Sequence, residues 1–216
     1  MQPETMNSVG SAQGNVDISG VALSKSLMDF FGSLTLLILL SPFMLCIALA
    51  VKLGSRGPIF YSEIRQGLNG VGFPMMKFRT MVPNASAMQK DVENEVDGPM
   101  FKCTDDPRIT GVGGFLRGWS LDELPQLINV LRGEMSLVGP RPLPDEQMEG
   151  HPTWKQTRLS VKPGLTGLWQ IQARDSDKFS DWVKYDTEYV RHWSIALDIK
   201  ILFLTIGAVI GRRGAR

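Results

Sequence analysis

An uncharged run of 22 residues, from Phe30 to Val51, constrains this chain more than any other feature. As an α-helix it would extend over about 33 Å, which is enough to cross a hydrocarbon core of ~30 Å. A cleaved signal peptide is disfavoured, because the preceding residues are net acidic and the run is longer than a signal requires. The run therefore predicts a retained membrane segment.

Ser41-Pro42 interrupts this run. Pro42 cannot donate a hydrogen bond to the carbonyl of Ile38, so the pattern predicts a kink, with the Ser41 hydroxyl near the freed carbonyl. Basic residues flank the run on both sides: Lys25 before it and Lys52, Arg56 and Arg65 after it. Because cytoplasmic loops collect Lys and Arg, this favours a re-entrant helix that enters and leaves the membrane on one face. An ordinary kinked spanning helix fits the same residues, and both alternatives stay open at this point.

The whole sequence predicts an α+β fold that is mostly helical with short strands. Four parts are expected: a disordered N-terminal arm at 1–22, a membrane helix at 23–53, a soluble domain at 54–194, and a C-terminal amphipathic helix with a basic tail at 195–216. Asn69-Gly70 predicts a turn between two short extended segments. The C-terminal helix has too short an uncharged part to span a bilayer, so it is either buried or interfacial.

Composition excludes several classes of protein. The formal net charge is +1, which disfavours a protein that binds nucleic acid through its phosphate backbone. Two cysteines, Cys46 and Cys103, do not form a disulfide framework and favour a reducing compartment. The two histidines, His151 and His192, are far apart in the sequence, so no zinc cluster of the His/Cys type is expected.

Two adjacent acids, Asp122 and Glu123, precede a helix whose apolar residues fall on one face. Ser120 and Glu123 have the spacing of a capping box, and Asp122 is an alternative cap. Acids at a helix start are commonly structural. The same position also suits a bound or covalent phosphate, because a helix N-terminus favours negative charge.

Two basic motifs suit the binding of an anion. Lys77 and Arg79 alternate with Phe78, and a strand would place both cations on one face, about 7 Å apart, as a phosphate clamp. Arg141 lies between Pro140 and Pro142, which restrict the backbone and favour a preorganised contact. A solvated edge strand and a surface turn are the structural alternatives.

Four blocks of this sequence together resemble the bacterial sugar transferase family, the monotopic polyprenyl-phosphate phosphoglycosyl transferases. The blocks are Lys77-Phe78-Arg79-Thr80-Met81, Ser120-Leu121-Asp122-Glu123-Leu124-Pro125-Gln126-Leu127, Met135-Ser136-Leu137-Val138-Gly139-Pro140-Arg141-Pro142 and Pro163-Gly164-Leu165-Thr166-Gly167-Leu168-Trp169-Gln170. The resemblance runs from about Ser24 to Gly211 and is greatest to short members that start exopolysaccharide synthesis.

The resemblance implies transfer of a sugar-1-phosphate from a UDP-sugar to polyprenyl (undecaprenyl) phosphate, with release of UMP. It implies that Asp122 is the nucleophile, forming an aspartyl phosphosugar, and that Glu123 is its acidic partner. Mg²⁺, held by Asp122 and Glu123, is the implied cofactor. The implied phosphate- or nucleotide-binding residues are Lys77, Arg79, Arg117, Arg141 and Arg174.

The resemblance also implies a place in the cell. A Ser-Pro pair marks the re-entrant helix of the family, so Ser41-Pro42 now favours that form, on the cytoplasmic face of the bacterial inner membrane. Two positions depart from the family pattern, since Gly118 replaces a second basic residue and Ala173 replaces a glycine. A catalytically inactive membrane-bound scaffold is the alternative function, and the transferred sugar and homodimer formation stay open.

Overall fold

The computed structural model describes residues 18–95, 101, 103, 105–176 and 178–211. Seven α-helices and four short strands occur in these ranges, which confirms the predicted α+β class with mostly helical content. The helices are α1 (Ile18–Gly54), α2 (Gly111–Gly118), α3 (Gln126–Leu131), α4 (Pro152–Leu159), α5 (Leu168–Gln172), α6 (Phe179–His192) and α7 (Ile195–Ile210). The strands are β1 (Phe60–Gln66), β2 (Gly72–Phe78), β3 (Ser136–Val138) and β4 (Gly164–Thr166).

Helix α1 has 37 residues and continues through Pro42. The Ser41 hydroxyl donates to the Ile38 carbonyl at 2.9 Å, as expected from the missing amide hydrogen of Pro42. The helix begins at Ile18, inside the segment predicted to be a disordered arm, and residues 1–17 lie outside the described part of the chain. Its segment Leu23–Gly54 contains an 18-residue window with a mean hydropathy of 2.6 and is long and apolar enough to cross a membrane, by length and composition.

One narrow stripe of α1 packs against the rest of the protein. Asp29, Ser33, Ile47 and Val51 are buried at helical spacing, while side chains on the other faces are exposed. The exposed apolar side chains of α1 include Phe31, Ile38, Leu39, Leu45, Leu49 and Leu53. The soluble domain therefore contacts α1 on both sides of Pro42, and the remaining apolar surface is free to meet lipid.

A polar cluster joins the first half of α1 to the domain. Lys25 Nζ donates to Asp198 Oδ2 at 2.6 Å and to the Val138 carbonyl at 3.0 Å. Tyr189 donates to Asp198 Oδ1 at 2.9 Å, and Trp193 Nε1 donates to Asp198 Oδ2 at 3.1 Å. We call Lys25, Tyr189, Trp193 and Asp198 the docking cluster, because it ties α1, α6 and α7 to the end of β3.

Two small sheets position the site. β1 and β2 form an antiparallel hairpin in which Tyr61 pairs with Lys77, and the predicted Asn69-Gly70 turn connects them with positive φ at both residues. β3 and β4 pair in parallel, Ser136 with Gly164 and Val138 with Thr166. The main core lies between these sheets and α1, α3, α6 and α7, so β2, α3 and the loops after β3 and β4 surround one region.

Helix α7 packs one face against the protein and leaves several apolar side chains and Lys200 exposed. Asp198 and Ile201 are buried, and Thr205 is hydrogen-bonded to Thr166 at 2.7 Å. Ile199, Phe203, Ile206 and Ile210 are exposed. These apolar side chains are therefore exposed, while the amphipathic character of the helix and its place at a membrane surface stay predictions.

Candidate active site

The adjacent acids lie on a tight turn between α2 and α3. Leu121–Glu123 forms a single 3₁₀ turn, and Ser120 before it has a left-handed backbone conformation, with φ of 55°. The Ser120 side chain caps no helix and instead accepts a hydrogen bond from Arg174 Nη1 at 2.9 Å. The N-cap of α3 is Pro125, so neither Ser120 nor Asp122 caps that helix. The capping predicted from spacing is wrong, because the chain makes a separate turn before α3 begins.

Glu123 is an ionised carboxylate held by two cations. Arg141 Nη2 donates to Glu123 Oε1 at 2.6 Å, and Lys77 Nζ lies 3.8 Å from the same oxygen. Burial by itself raises the pKa of Glu123, but the charges of Arg141 and Lys77 outweigh it and lower the pKa to about 2. Burial lowers the pKa of Lys77, whereas the charge of Glu123 raises the pKa of Arg141.

Asp122 differs from its neighbour, since no described residue donates a hydrogen bond to its carboxylate. The residue is only 8% exposed. Burial raises its pKa, and the negative charge of Glu123 raises it further, while Lys77, Arg117 and Arg141 act in the opposite direction. Asp122 is thus a partly desolvated carboxylate without a hydrogen-bond donor in the described part of the chain, an arrangement suited to forming a bond with an electrophile.

The Gly139–Pro142 turn, which carries Arg141, is fixed by main-chain contacts to β4. Gly139 N donates to the Thr166 carbonyl at 2.9 Å, and Gly164 N donates to the Pro140 carbonyl at 2.8 Å. A Cβ atom on Gly164 would lie 2.0 Å from Gly139 N, so only glycine permits this approach. The turn therefore presents the Arg141 guanidinium to the site from a rigid support, as the two prolines predicted.

The charges around the acids are unequal. Lys77, Arg141 and Arg174 all act on Glu123, and Arg117 acts on Asp122. Four cations therefore surround two carboxylates, which leaves an excess of positive charge. This excess suits an anionic ligand with several oxygens, such as a phosphate or diphosphate. Beside Arg174, a partly open cavity of about 400 Å³ is lined by polar residues together with Ile171, Ala173 and Tyr185.

Comparison of the sequence with known proteins shows which family the chain belongs to. The model of the bacterial sugar transferases matches residues 21–212. The chain belongs to the bacterial sugar transferase family. It is therefore an enzyme, and the predicted resemblance is confirmed.

Individual relatives of the transferase are similar over most of its length. The exopolysaccharide production protein ExoY of Sinorhizobium fredii is 42% identical over 199 residues, which cover 89% of this chain and 88% of the relative. The undecaprenyl-phosphate galactose phosphotransferase of Salmonella typhimurium is 41% identical over 94% of this chain. The UDP-glucose:undecaprenyl-phosphate glucose-1-phosphate transferase of Escherichia coli is 43% identical over 88% of it. The transferase spans 44% and 41% of the length of these last two relatives.

The transferase brings together Lys77, Arg117, Arg141 and Arg174 around the two acids, but it places Arg79 elsewhere. The Arg79 guanidinium is buried at the C-terminal end of α1 and donates to the Ser55 hydroxyl at 2.8 Å. It also donates to the main-chain carbonyls of Val51, Ser55, Arg56 and Pro58. The Val51 carbonyl lies in the last turn of α1 and the others follow it, a region where carbonyl groups lack partners within a helix. A phosphate-binding role for Arg79 does not fit this placement, and we assign it to the support of the α1 end.

Three residues near the site had no sequence signal. Arg158, on α4, donates to the main-chain carbonyl of Arg141, and Asp186 and Trp154 surround the Arg158 side chain. Trp154 and Arg158 lie one turn apart on α4, but Asp186 is on α6, and a pattern of local spacing cannot reveal a contact between helices. A basic residue in the last turn of a polar helix, such as Arg158, usually indicates a solvated helix end.

Proposed function

We propose that this transferase moves a sugar-1-phosphate from a UDP-sugar to polyprenyl phosphate through a covalent intermediate on Asp122. Asp122 Oδ would attack the phosphorus atom that carries the sugar, and the bond from that phosphorus to UMP would break. A phosphate oxygen of the lipid would then attack the same phosphorus, forming the polyprenyl diphosphate sugar and restoring the Asp122 carboxylate. The observation that carries this proposal is the contrast between Asp122, to which no described residue donates a hydrogen bond, and Glu123, which two cations hold.

The cations have clear roles in such a reaction. Phosphoryl transfer depends mainly on positioning and on neutralising charge that spreads over the phosphate oxygens. Arg141, on its rigid turn, and Lys77 would bind the donor diphosphate, with Arg117 and Arg174 completing the ring of positive charge. The cavity beside Arg174 would take part of the donor beyond its phosphates.

The donor set at the turn fits Mg²⁺. Asp122 and Glu123 supply hard carboxylate oxygens, and Mg²⁺ in phosphate-handling sites commonly uses one or two carboxylates together with water and substrate oxygens. When bound, Mg²⁺ would neutralise diphosphate charge. Among the described residues no group of three or more His, Cys, Asp or Glu side chains surrounds a common point, so most ligands would come from water and substrate.

The apolar surfaces support a membrane-bound site. α1 and α7 both direct apolar side chains outward, and α7 buries Asp198 while Lys200 stays exposed, an arrangement expected of a helix at a lipid interface. The soluble domain contacts α1 at Asp29 as well as at Val51. A polar domain that contacts both halves of the helix favours the re-entrant form on the cytoplasmic face of the bacterial inner membrane. The site would then lie near the head group of a polyprenyl acceptor.

Release of UMP tests this function. Protein in nanodiscs is supplied with Mg²⁺, undecaprenyl phosphate and each of a panel of UDP-sugars, and the products are quantified. We expect one or a few sugars to yield UMP and the lipid diphosphate sugar. Without the lipid, we expect about one UMP per enzyme and a protein mass raised by one sugar phosphate on Asp122. UMP production without any protein adduct would overturn the covalent mechanism, and no UMP from folded protein would favour the scaffold alternative.

A further inference from the structure

A buried ion pair lies directly behind the Gly139–Pro142 turn. Arg158 on α4 is 3% exposed and Asp186 on α6 is 2% exposed. Arg158 Nη1 lies 3.4 Å from Asp186 Oδ2, and Trp154 Nε1 donates to the same oxygen at 3.1 Å. The guanidinium carbon of Arg158 lies 4.6 Å from the centre of the Trp154 ring. The pair is thus enclosed by an aromatic side chain and two helices.

Such a pair is costly to bury. Burial lowers the pKa of Arg158 and raises the pKa of Asp186 to about 6, so both ionised forms are disfavoured by their surroundings. Among the described residues, Arg158 is the one charged group that counters this effect on Asp186. Apolar residues of similar volume often replace buried ion pairs without loss of stability. Stability alone therefore gives little reason for Arg158 and Asp186.

The second arm of the Arg158 guanidinium reaches the active-site turn. Arg158 Nη2 donates to the main-chain carbonyl of Arg141. Gly139 and Pro140 are already held by main-chain contacts to β4, whereas the carbonyl of Arg141 itself is held by this side chain. The Arg141 guanidinium then extends from the same residue to Glu123, 2.6 Å away.

We infer that Arg158 is a positioning residue, oriented by Asp186 and Trp154, that fixes the main chain at Arg141 and so aims the Arg141 guanidinium at the donor phosphates. The inference rests on the proposed function. The planar guanidinium suits this task because one arm reaches Asp186 while the other reaches the carbonyl of Arg141. A displacement of about 1 Å at the phosphates is enough to slow transfer by up to ~10²-fold.

A double substitution separates positioning from stability. Arg158→Met with Asp186→Leu removes both buried charges together, so we expect a folded variant whose melting temperature is at most modestly lower, because Trp154 Nε1 and the Arg141 carbonyl lose their partners. We expect the KM for the UDP-sugar to rise and kcat/KM to fall roughly 10- to 100-fold, with the KM for undecaprenyl phosphate unchanged. Wild-type kinetics in a folded double variant would overturn the inference.

Arg158→Lys is the matched variant if the double variant does not fold. Lysine keeps a positive charge beside Asp186 but cannot reach both partners with a planar fork. We expect a raised KM for the UDP-sugar with normal thermal stability, and an unchanged KM would overturn the inference.

Binding of inorganic diphosphate tests the role of Arg158 even if the proposed function is wrong. If wild-type protein releases no UMP from any UDP-sugar, binding of inorganic diphosphate is measured by isothermal titration calorimetry. Weaker binding by the Arg158 variants than by the wild type supports positioning of Arg141, and equal binding overturns it.

Discussion

Two of the buried charged clusters among the described residues, the docking cluster and the active site, are opposite in design. In the docking cluster, both oxygens of Asp198 accept hydrogen bonds, from Tyr189 on one side and from Lys25 and Trp193 on the other. In the active site, Glu123 is held by Arg141 and Lys77, but Asp122 accepts no hydrogen bond from any described residue. Similar residue types therefore form one cluster in which both carboxylate oxygens of the aspartate accept hydrogen bonds, and another in which the aspartate accepts none from a described residue.

The difference indicates which cluster holds structure and which carries out chemistry. A buried carboxylate with all its hydrogen bonds made is stable where it is and has little reason to react. A buried carboxylate without them, surrounded by an excess of cations, gains most when an anionic substrate arrives. The two aspartates should consequently respond in opposite ways to the same substitution.

Asp122→Asn should have the largest effect on activity. The amide cannot act as the nucleophile, so we expect UMP release to fall on the order of 10⁴-fold or more. The melting temperature should be unchanged or higher, because a neutral side chain is easier to bury at this position. Measured UMP release near the wild-type rate would mean that Asp122 is not the nucleophile.

Asp198→Asn is the matched substitution in the docking cluster. It leaves Lys25 without its anionic partner in a part-buried position, and we expect a loss of about 3 kcal/mol in the free energy of unfolding. Activity per folded molecule should stay within about threefold of the wild type, because Asp198 lies outside the active site. Urea unfolding in detergent micelles, together with UMP release by the folded fraction, checks both parts. A variant of normal stability but without activity would reverse the roles given to the two clusters.

Lys77 and Arg79 offer a sharper contrast within one motif. Lys77→Met should lower kcat/KM for the UDP-sugar roughly tenfold, because it removes one cation from the diphosphate. Arg79→Met should leave the KM for the UDP-sugar unchanged but lower the melting temperature, because it removes the donors that serve carbonyls at the end of α1. Donor kinetics and thermal unfolding of both variants provide the measurement. An equal rise in donor KM for both would restore the predicted phosphate clamp.

The pH dependence should also distinguish the two acids of the site. The pKa of Asp122 is raised above its ordinary value of 3.8, so kcat/KM should fall as the pH decreases through this raised pKa and the nucleophile becomes protonated. Glu123, with a pKa of about 2, stays ionised at neutral and mildly acidic pH. Its contribution to stability is present above its ordinary pKa of 4.5 and is lost as the pH falls toward 2. Glu123→Gln removes a negative charge beside Asp122 and should move the acid limb to lower pH. An acid limb at the same pH in that variant would assign the limb to another group.

Some of the site could be predicted because its signals are local. Asp122 and Glu123 are adjacent, and the two prolines that restrict Arg141 flank it directly. Lys77 and Arg79 show the limit of this reasoning. The two cations alternate with Phe78 as predicted, but β2 ends at Phe78, so Arg79 lies beyond the strand. Its guanidinium donates hydrogen bonds to carbonyls at the end of α1 instead. Spacing along one strand carries no information about a helix end that packs beside it.

Ser120 shows the same limit from the other side. Its distance from Glu123 fits a capping box, yet its left-handed backbone forms a separate turn and its hydroxyl serves Arg174, 54 residues further along the chain. Whether a residue caps a helix depends on where the helix begins, and α3 begins after Pro125, later than the spacing predicts.

The sequence by itself determined the apolar helix, the pair of acids, the rigid Arg141 turn and the membership of an enzyme family. These follow from contiguous residues, since hydrophobic length, adjacent charge and proline act over a few positions. Only the tertiary structure decided which cations lie near Asp122 and Glu123 and which of these two carboxylates accepts no hydrogen bond from a described residue. It also decided that Arg79 supports the end of α1 and does not reach the site. Those outcomes depend on burial and on contacts between segments far apart in the chain, where desolvation makes each charge take the nearest partner that packing allows.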